Sequence, residues 1–251
     1  MTSIAGSAQG PPGGRGAAPP RSPREAAPVD LTGYWVSVIT EDWRWRMVTP
    51  AKGDFASVPM NAAAKKIAGA WDPAKDEADG NQCKAYGAAA IMRTPTRLHI
   101  TWQDDSTLKV ETDNGTQTRL LRFASTAPAA AERSWQGNSV ARWEPALRGP
   151  GTPETFPVGL QPREGTRGRA LEVVTTQLRP GYLRKNGIPY SANTTVREYY
   201  DLFTEKNADT WFVVTTIVED SDYLTAPYVT TSNFKKQADA SGWAPTPCAV
   251  R

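Results

Sequence analysis

From Leu31 onward the chain alternates apolar and polar residues with a period of two, run after run, as strands with one buried face do. Residues 31–39, LTGYWVSVI, are β-branched and aromatic, and Trp43-Arg44-Trp45-Arg46 alternates strictly, which predicts a first strand or pair of strands. The clearest runs are RLHITWQ (97–103), TLKVET (107–112) and TQTRLLRF (116–123), separated by Asp104-Asp105-Ser106 and Asp113-Asn114-Gly115. Asn-Gly between two such runs predicts a type I′ hairpin, because both central residues of that turn need positive φ. Further strands are predicted over 139–143, 170–178, 194–203, 210–219 and 228–234. One segment reads as helix: 61–70, NAAAKKIAGA, with Asn61 able to cap it and Trp71-Asp72-Pro73 to stop it. Many short strands against one short helix predict an all-β fold, an antiparallel up-and-down barrel of about 8–10 strands. A β-sandwich is the alternative.

Three stretches break the pattern. Residues 1–29 are mostly Gly, Pro, Ala and Ser without apolar periodicity, and such a segment buries too little surface to offset its ordering entropy. It is expected to be a disordered leader ahead of a single barrel domain at 30–251. Residues 145–168, PALRGPGTPETFPVGLQPREGTRG, are too long and too rich in Pro and Gly for a hairpin turn and predict a surface insertion, with a lid as the alternative. Residues 178–191, LRPGYLRKNGIPYS, carry two turn pairs, two tyrosines and three cations, and predict an ordered excursion from the barrel rim.

Composition narrows the chemistry. The 251 residues include nine Trp, one His and two Cys, with a formal net charge of +3. No apolar run reaches the roughly 20 residues that cross a bilayer as a helix, and the small basic excess forms no block, so neither a transmembrane segment nor a nucleic-acid partner is expected. One histidine and two cysteines are too few for the usual zinc sites. The acidic run 219–222 lacks the Gly and distal Glu of a calcium loop, and no Gly-rich phosphate-binding motif precedes a helix. No metal and no cofactor are expected. Cys83 follows the helix and Cys248 lies in a Pro-rich tail; a bridge between them would pin that tail and would require an oxidising compartment. The leader lacks the charged start and apolar stretch of a signal peptide but is similar to chain found just after a removed one, so a periplasmic or secreted location is expected.

His99 is the only side chain whose ordinary pKa suits proton transfer near neutrality. Its strand places it either outside, with Leu98 and Ile100 facing the core, or inside with Arg97 and Thr101. Among the carboxylates, Asp42 adjoins the Trp-Arg-Trp-Arg run, while in REYYDL Asp201 shares one strand face with Arg197 and Tyr199, opposite Glu198 and Tyr200. Asp42, His99, Glu198, Tyr199 and Asp201 are therefore the candidates for acid/base work, and a salt-bridge network is the structural alternative. A Ser-His-Asp hydrolase is disfavoured, since no Gly-x-Ser-x-Gly elbow occurs. Trp43, Arg44, Trp45, Trp102, Tyr182 and Tyr190 are the candidates for lining a ligand cavity, offering ring faces and one cation.

Gly33-Tyr34-Trp35 resembles the Gly-x-Trp start of lipocalin-type barrels, where the Trp closes one barrel end. A broader resemblance spans about 30–248 through Asp30-Leu31-Thr32-Gly33-Tyr34-Trp35, a Trp-x-Gly-x-Ser-x-x-x-Trp-Glu strand (135–144) and an Asn-Gly-x-Pro-x-Ser rim loop (186–191). These motifs resemble a family of secreted bacterial, calycin-type β-barrel proteins. The resemblance implies an exported, lipocalin-like β protein and carries no catalytic assignment. The expected function is binding of a small apolar or aromatic molecule in an aromatic-lined barrel cavity. A cofactor-free isomerase, cyclase or lyase in the same cavity is the alternative.

Overall fold

The period-two runs fold as strands, and the strands close on themselves. The computed structural model describes residues 21–123, 132–144 and 170–250. Residues 1–20 of the expected leader and the expected insertion at 145–168 lie outside these. Among the described residues the strands are β1 (Gly33–Val38), β2 (Arg97–Asp104), β3 (Thr107–Thr112), β4 (Thr118–Arg122), β5 (Asn138–Trp143), β6 (Leu171–Thr176), β7 (Gly181–Arg184), β8 (Ile188–Tyr190), β9 (Thr195–Thr204), β10 (Thr210–Glu219) and β11 (Tyr228–Gln237). Nine of them make a closed barrel in the order β1-β11-β10-β9-β6-β5-β4-β3-β2, and β7 with β8 forms a separate hairpin between β6 and β9. Every barrel neighbour is antiparallel except β4 and β5, where Leu121 pairs with Ser139 and Arg122 with Val140 in parallel. The cause is arithmetic: direction cannot alternate all the way round a ring of nine, so one adjacent pair must run the same way.

Alternation then decides what faces inward. Leu98 and Ile100 of β2 are buried in the bore, and His99 faces out, its ring stacked on Tyr34 at 4.2 Å. The apolar half of the bore is filled by large side chains: Trp35 meets Phe212 edge-on at 4.6 Å, and Phe212 stacks on Phe234 at 4.8 Å. The Trp35 indole N–H donates to the Leu31 carbonyl at 2.9 Å, fixing the ring near the end where β1 begins. The other half of the bore is polar. Arg119 of β4 reaches across to Glu198 of β9 through two hydrogen bonds of 3.1 and 2.6 Å, and donates to Thr175 at 3.3 Å. Residues 21–29 of the expected leader lie against the apolar end: the Pro23 carbonyl accepts from the Trp143 indole, Arg24 N–H donates to Asp105, and Val29 packs on the core.

The polar end carries a cap. Helix α1 (Trp43–Arg46) is a single turn, and helices α2 (Ala62–Gly69) and α3 (Pro73–Ala78) follow it. Asn61 caps α2 by accepting from Ala64 N–H, and Asp72 caps α3 with Pro73 at its first position. Ala64 and Ala68 of α2, with Leu183, Ile188 and Tyr190 of the hairpin, pack on Val196, Val218 and Tyr228 at the strand ends. Gly187 closes the hairpin at φ +83°, and a Cβ there would lie 2.3 Å from Trp71 Cγ, so only glycine lets the turn seat on the cap. Cys83 is bonded to Cys248, 165 residues away, with Cα atoms 5.2 Å apart.

Two expectations are corrected. Trp43-Arg44-Trp45-Arg46 is a helical turn rather than a strand: Asp42 adopts φ 53°, ψ 25° and reverses the chain, and Arg46 then turns inward onto the rim. A four-residue alternation satisfies either period. The turn after β3 carries its positive φ at Gly115 and Thr116 instead of Asn114 and Gly115, so it is not type I′. The carbonyl of Thr246 in the C-terminal tail accepts from Gly115 N–H and the Thr116 hydroxyl, and this pairing holds the wider loop.

Candidate functional site

The candidate acid/base residues fall in four places. Glu198 is wholly buried in the bore on Arg119. Burial alone would pull the Arg119 guanidinium down, but the adjacent Glu198 carboxylate more than offsets it and holds the group above its ordinary value. Tyr199 and Asp201, neighbours of inward residues on β9, face out; the Tyr199 hydroxyl donates to Glu172, which also holds Arg142 and Arg197. His99 is outside on β2, with Nδ1 3.3 Å from Glu111. Asp42 sits at the rim, 2.8 Å from Arg93. These five side chains do not meet at one point.

The candidate ligand residues also divide. Trp102 lies at the apolar end against Phe123, itself packed on Trp143. Tyr182 lies in the cap and donates to Asp76 at 2.7 Å; burial first, and Asp76 second, push its phenol up. Tyr190 is buried in the cap, and burial raises its phenol too. Trp43 is exposed. Arg44 and Trp45 share one partner: Arg44 Nη2 and the Trp45 indole N–H donate to Asp54 at 2.9 and 3.0 Å. The indole bond, followed by Arg44, holds the Asp54 carboxyl below its usual range.

Of this set, Trp45 lines a groove at the rim. The groove, of about 560 Å³, lies between α1, the β7–β8 hairpin and the barrel rim, with Trp45, Met47, Val48, Pro95 and Leu183 among its apolar lining residues. Its charged lining residues, Arg46, Arg93, Arg184 and Lys185, are all cations, beside the neutral Thr49, Thr94 and Asn114, and among the described residues no carboxylate lines it. Arg46 is almost wholly buried: Nε donates to the Arg93 carbonyl at 2.9 Å, and the head reaches Glu41 and Ser232 of the bore. Burial, and then the neighbouring Arg93 charge, lower the Arg46 pKa against the pull of Glu41 and Asp42. The Arg184 guanidinium lies 5.0 Å from the Trp45 ring centroid, within cation–π range.

Sequence reasoning did not single out Arg46, Arg93, Arg184 or Lys185. The cation pair 184–185 stood in the predicted rim excursion, which was a usable signal. Arg93, in Ile91-Met92-Arg93, had none.

Fold and groove together define a closed nine-stranded β-barrel whose polar end is capped and bordered by a basic, half-apolar groove, an architecture compatible with calycin-type barrels. No protein-family model, curated protein or solved structure matches this chain. Among the described residues no helix is long and apolar enough to cross a membrane, and no cluster of three or more His, Cys, Asp or Glu is placed to hold a metal.

Proposed function

We propose that this protein is an exported, lipocalin-like small-molecule binder whose ligand seats in the rim groove. The carrying observation is the groove itself, about 560 Å³ at the barrel mouth with an indole wall and buried cations beside it. Small-molecule sites are concave, largely apolar and furnished with a few fixed polar groups, and barrel mouths are a common place for them. A bore packed with Trp35, Phe212 and Phe234 supports seating the ligand at the rim rather than in the barrel interior that the aromatic residues of the sequence suggested. The Cys83–Cys248 bond supports export, because such bonds persist in oxidising compartments.

The test is titration with the neutral fluorophore N-phenyl-1-naphthylamine. The wild type should bind one equivalent, Trp45→Ala should weaken it about 10-fold or more, roughly 1.4 kcal/mol, and Trp102→Ala should leave it unchanged. Equal affinities in wild type and Trp45→Ala, with both still folded by their melting curves, would remove the groove as the site.

A further inference from the structure

We infer that the groove is built for an organic anion, a molecule with one oxyanion head on an apolar body. The inference rests on the groove being the binding site and adds the class of ligand.

Charge matching comes first. Of the four groove cations, Arg46 is matched by Glu41 and Arg93 by Asp42. Among the described residues, no carboxylate lies within ion-pair distance of Arg184 or Lys185. Asp54, at the indole nitrogen of Trp45, is already engaged by Arg44 and Trp45. Arg184 is only 4% exposed, and its fixed partners are neutral: Nη1 donates to the Ala56 carbonyl at 2.8 Å and Nη2 to the Tyr228 hydroxyl at 3.3 Å. Lys185 donates to the Tyr86 hydroxyl at 2.7 Å. Buried guanidinium groups are costly unless an anion meets them.

Unused donors come second. Arg184 Nε and Arg93 Nη1 are buried and have no hydrogen-bond partner. The two guanidinium groups converge on one ring, their central carbons 6.0 and 5.9 Å from the Tyr228 centroid. An oxyanion admitted beside either guanidinium would take its free N–H through a charge-assisted bond, and beside Arg184 would supply the charge that no carboxylate provides. Water would satisfy the donors but not the charge. Met47, Val48, Pro95 and Leu183 in the same lining offer no side-chain donors, and so fit a hydrocarbon or aromatic body.

Two fluorophores separate head from body: 8-anilinonaphthalene-1-sulfonate carries a sulfonate, whereas N-phenyl-1-naphthylamine has the same ring skeleton without it. The wild type should bind the sulfonate at least 10-fold more tightly than the neutral amine. Arg184→Gln and Lys185→Gln should each cut that preference, read as the ratio of the two affinities, 5-fold or more; Lys65→Gln, on the exposed face of α2, should change neither affinity. Melting curves confirm that each variant is folded, and Lys185, the less buried of the two, keeps the test usable should Arg184→Gln unfold. Displacement by dodecanoate, by 1-naphthoate and by 1-naphthyl phosphate then distinguishes an aliphatic acid, an aromatic acid and a phosphate ester. Equal affinity for both fluorophores, or an equal loss in Lys65→Gln, overturns the anion inference while the groove stands. Failure of both fluorophores to bind overturns the groove as well.

Discussion

Glu198→Ala is expected to destabilise the protein by about 3–5 kcal/mol, the usual cost of stranding one charge of a buried pair. Arg119 and Glu198 are 79 positions apart in the chain, are both at most 1% exposed, and meet through two hydrogen bonds in the polar half of the bore. Removing the carboxylate leaves a guanidinium whose remaining side-chain partners include the Thr175 hydroxyl, in a place water does not readily reach. Replacing both residues should behave differently, because two uncharged side chains of similar volume strand nothing. Arg119→Met with Glu198→Leu should come within about 1 kcal/mol of the wild type, or exceed it. Denaturant unfolding of the three proteins checks this. A loss below about 1 kcal/mol in Glu198→Ala, or a double variant as weak as the single one, would show that the bore does not depend on this pair.

Loss of the Cys83–Cys248 bond is the other large effect. The bond closes a loop of 165 residues, for which chain entropy alone allows about 5 kcal/mol, and measured losses for native disulfides run at about 2–5 kcal/mol. Cys83→Ser with Cys248→Ser should therefore melt roughly 5–15 °C below the wild type. The local consequence is equally specific. The tail is held by Thr246, whose N–H donates to Asp113 and whose carbonyl accepts from Gly115, and by Ala249 N–H on the Tyr86 hydroxyl. Without the covalent anchor those amides should exchange with solvent faster than the barrel strands do. An unchanged melting temperature with unchanged exchange would mean that the tail is held without the bond.

These two features differ in how far the chain alone reveals them. Cys83 and Cys248 are the only cysteines, so their pairing followed from count and from the otherwise unexplained Pro-rich tail. The barrel strands were legible because a half-buried strand writes its orientation into every second residue, as β2 and β3 do. Asn61 was legible as a cap for the same local reason. Trp43–Arg46 was not, since four residues fit a strand and a helical turn equally and the deciding event is the left-handed conformation of Asp42. Arg119 meeting Glu198 depends on closure, which sets β4 across from β9 and is invisible in either segment.

The functional site follows the same division. Trp45 was a candidate because an aromatic beside arginines is conspicuous in sequence. Arg93 and Arg184 matter because they are buried with unused donors around Tyr228, and burial and pairing are properties of the fold. The five acid/base candidates were chosen by residue type, and strand alternation separated them: on β9 it sent Glu198 inward and Tyr199 and Asp201 outward.

The indole N–H signals in a ¹⁵N NMR spectrum, assigned by single Trp→Phe substitutions, locate the ligand on the molecule. Titration with 8-anilinonaphthalene-1-sulfonate should move the Trp45 signal in step with binding and leave Trp35, in the bore, and Trp102, at the far end, unmoved. Movement of Trp35 or Trp102 with a stationary Trp45 would place the ligand in or beneath the barrel and contradict a binding site in the rim groove.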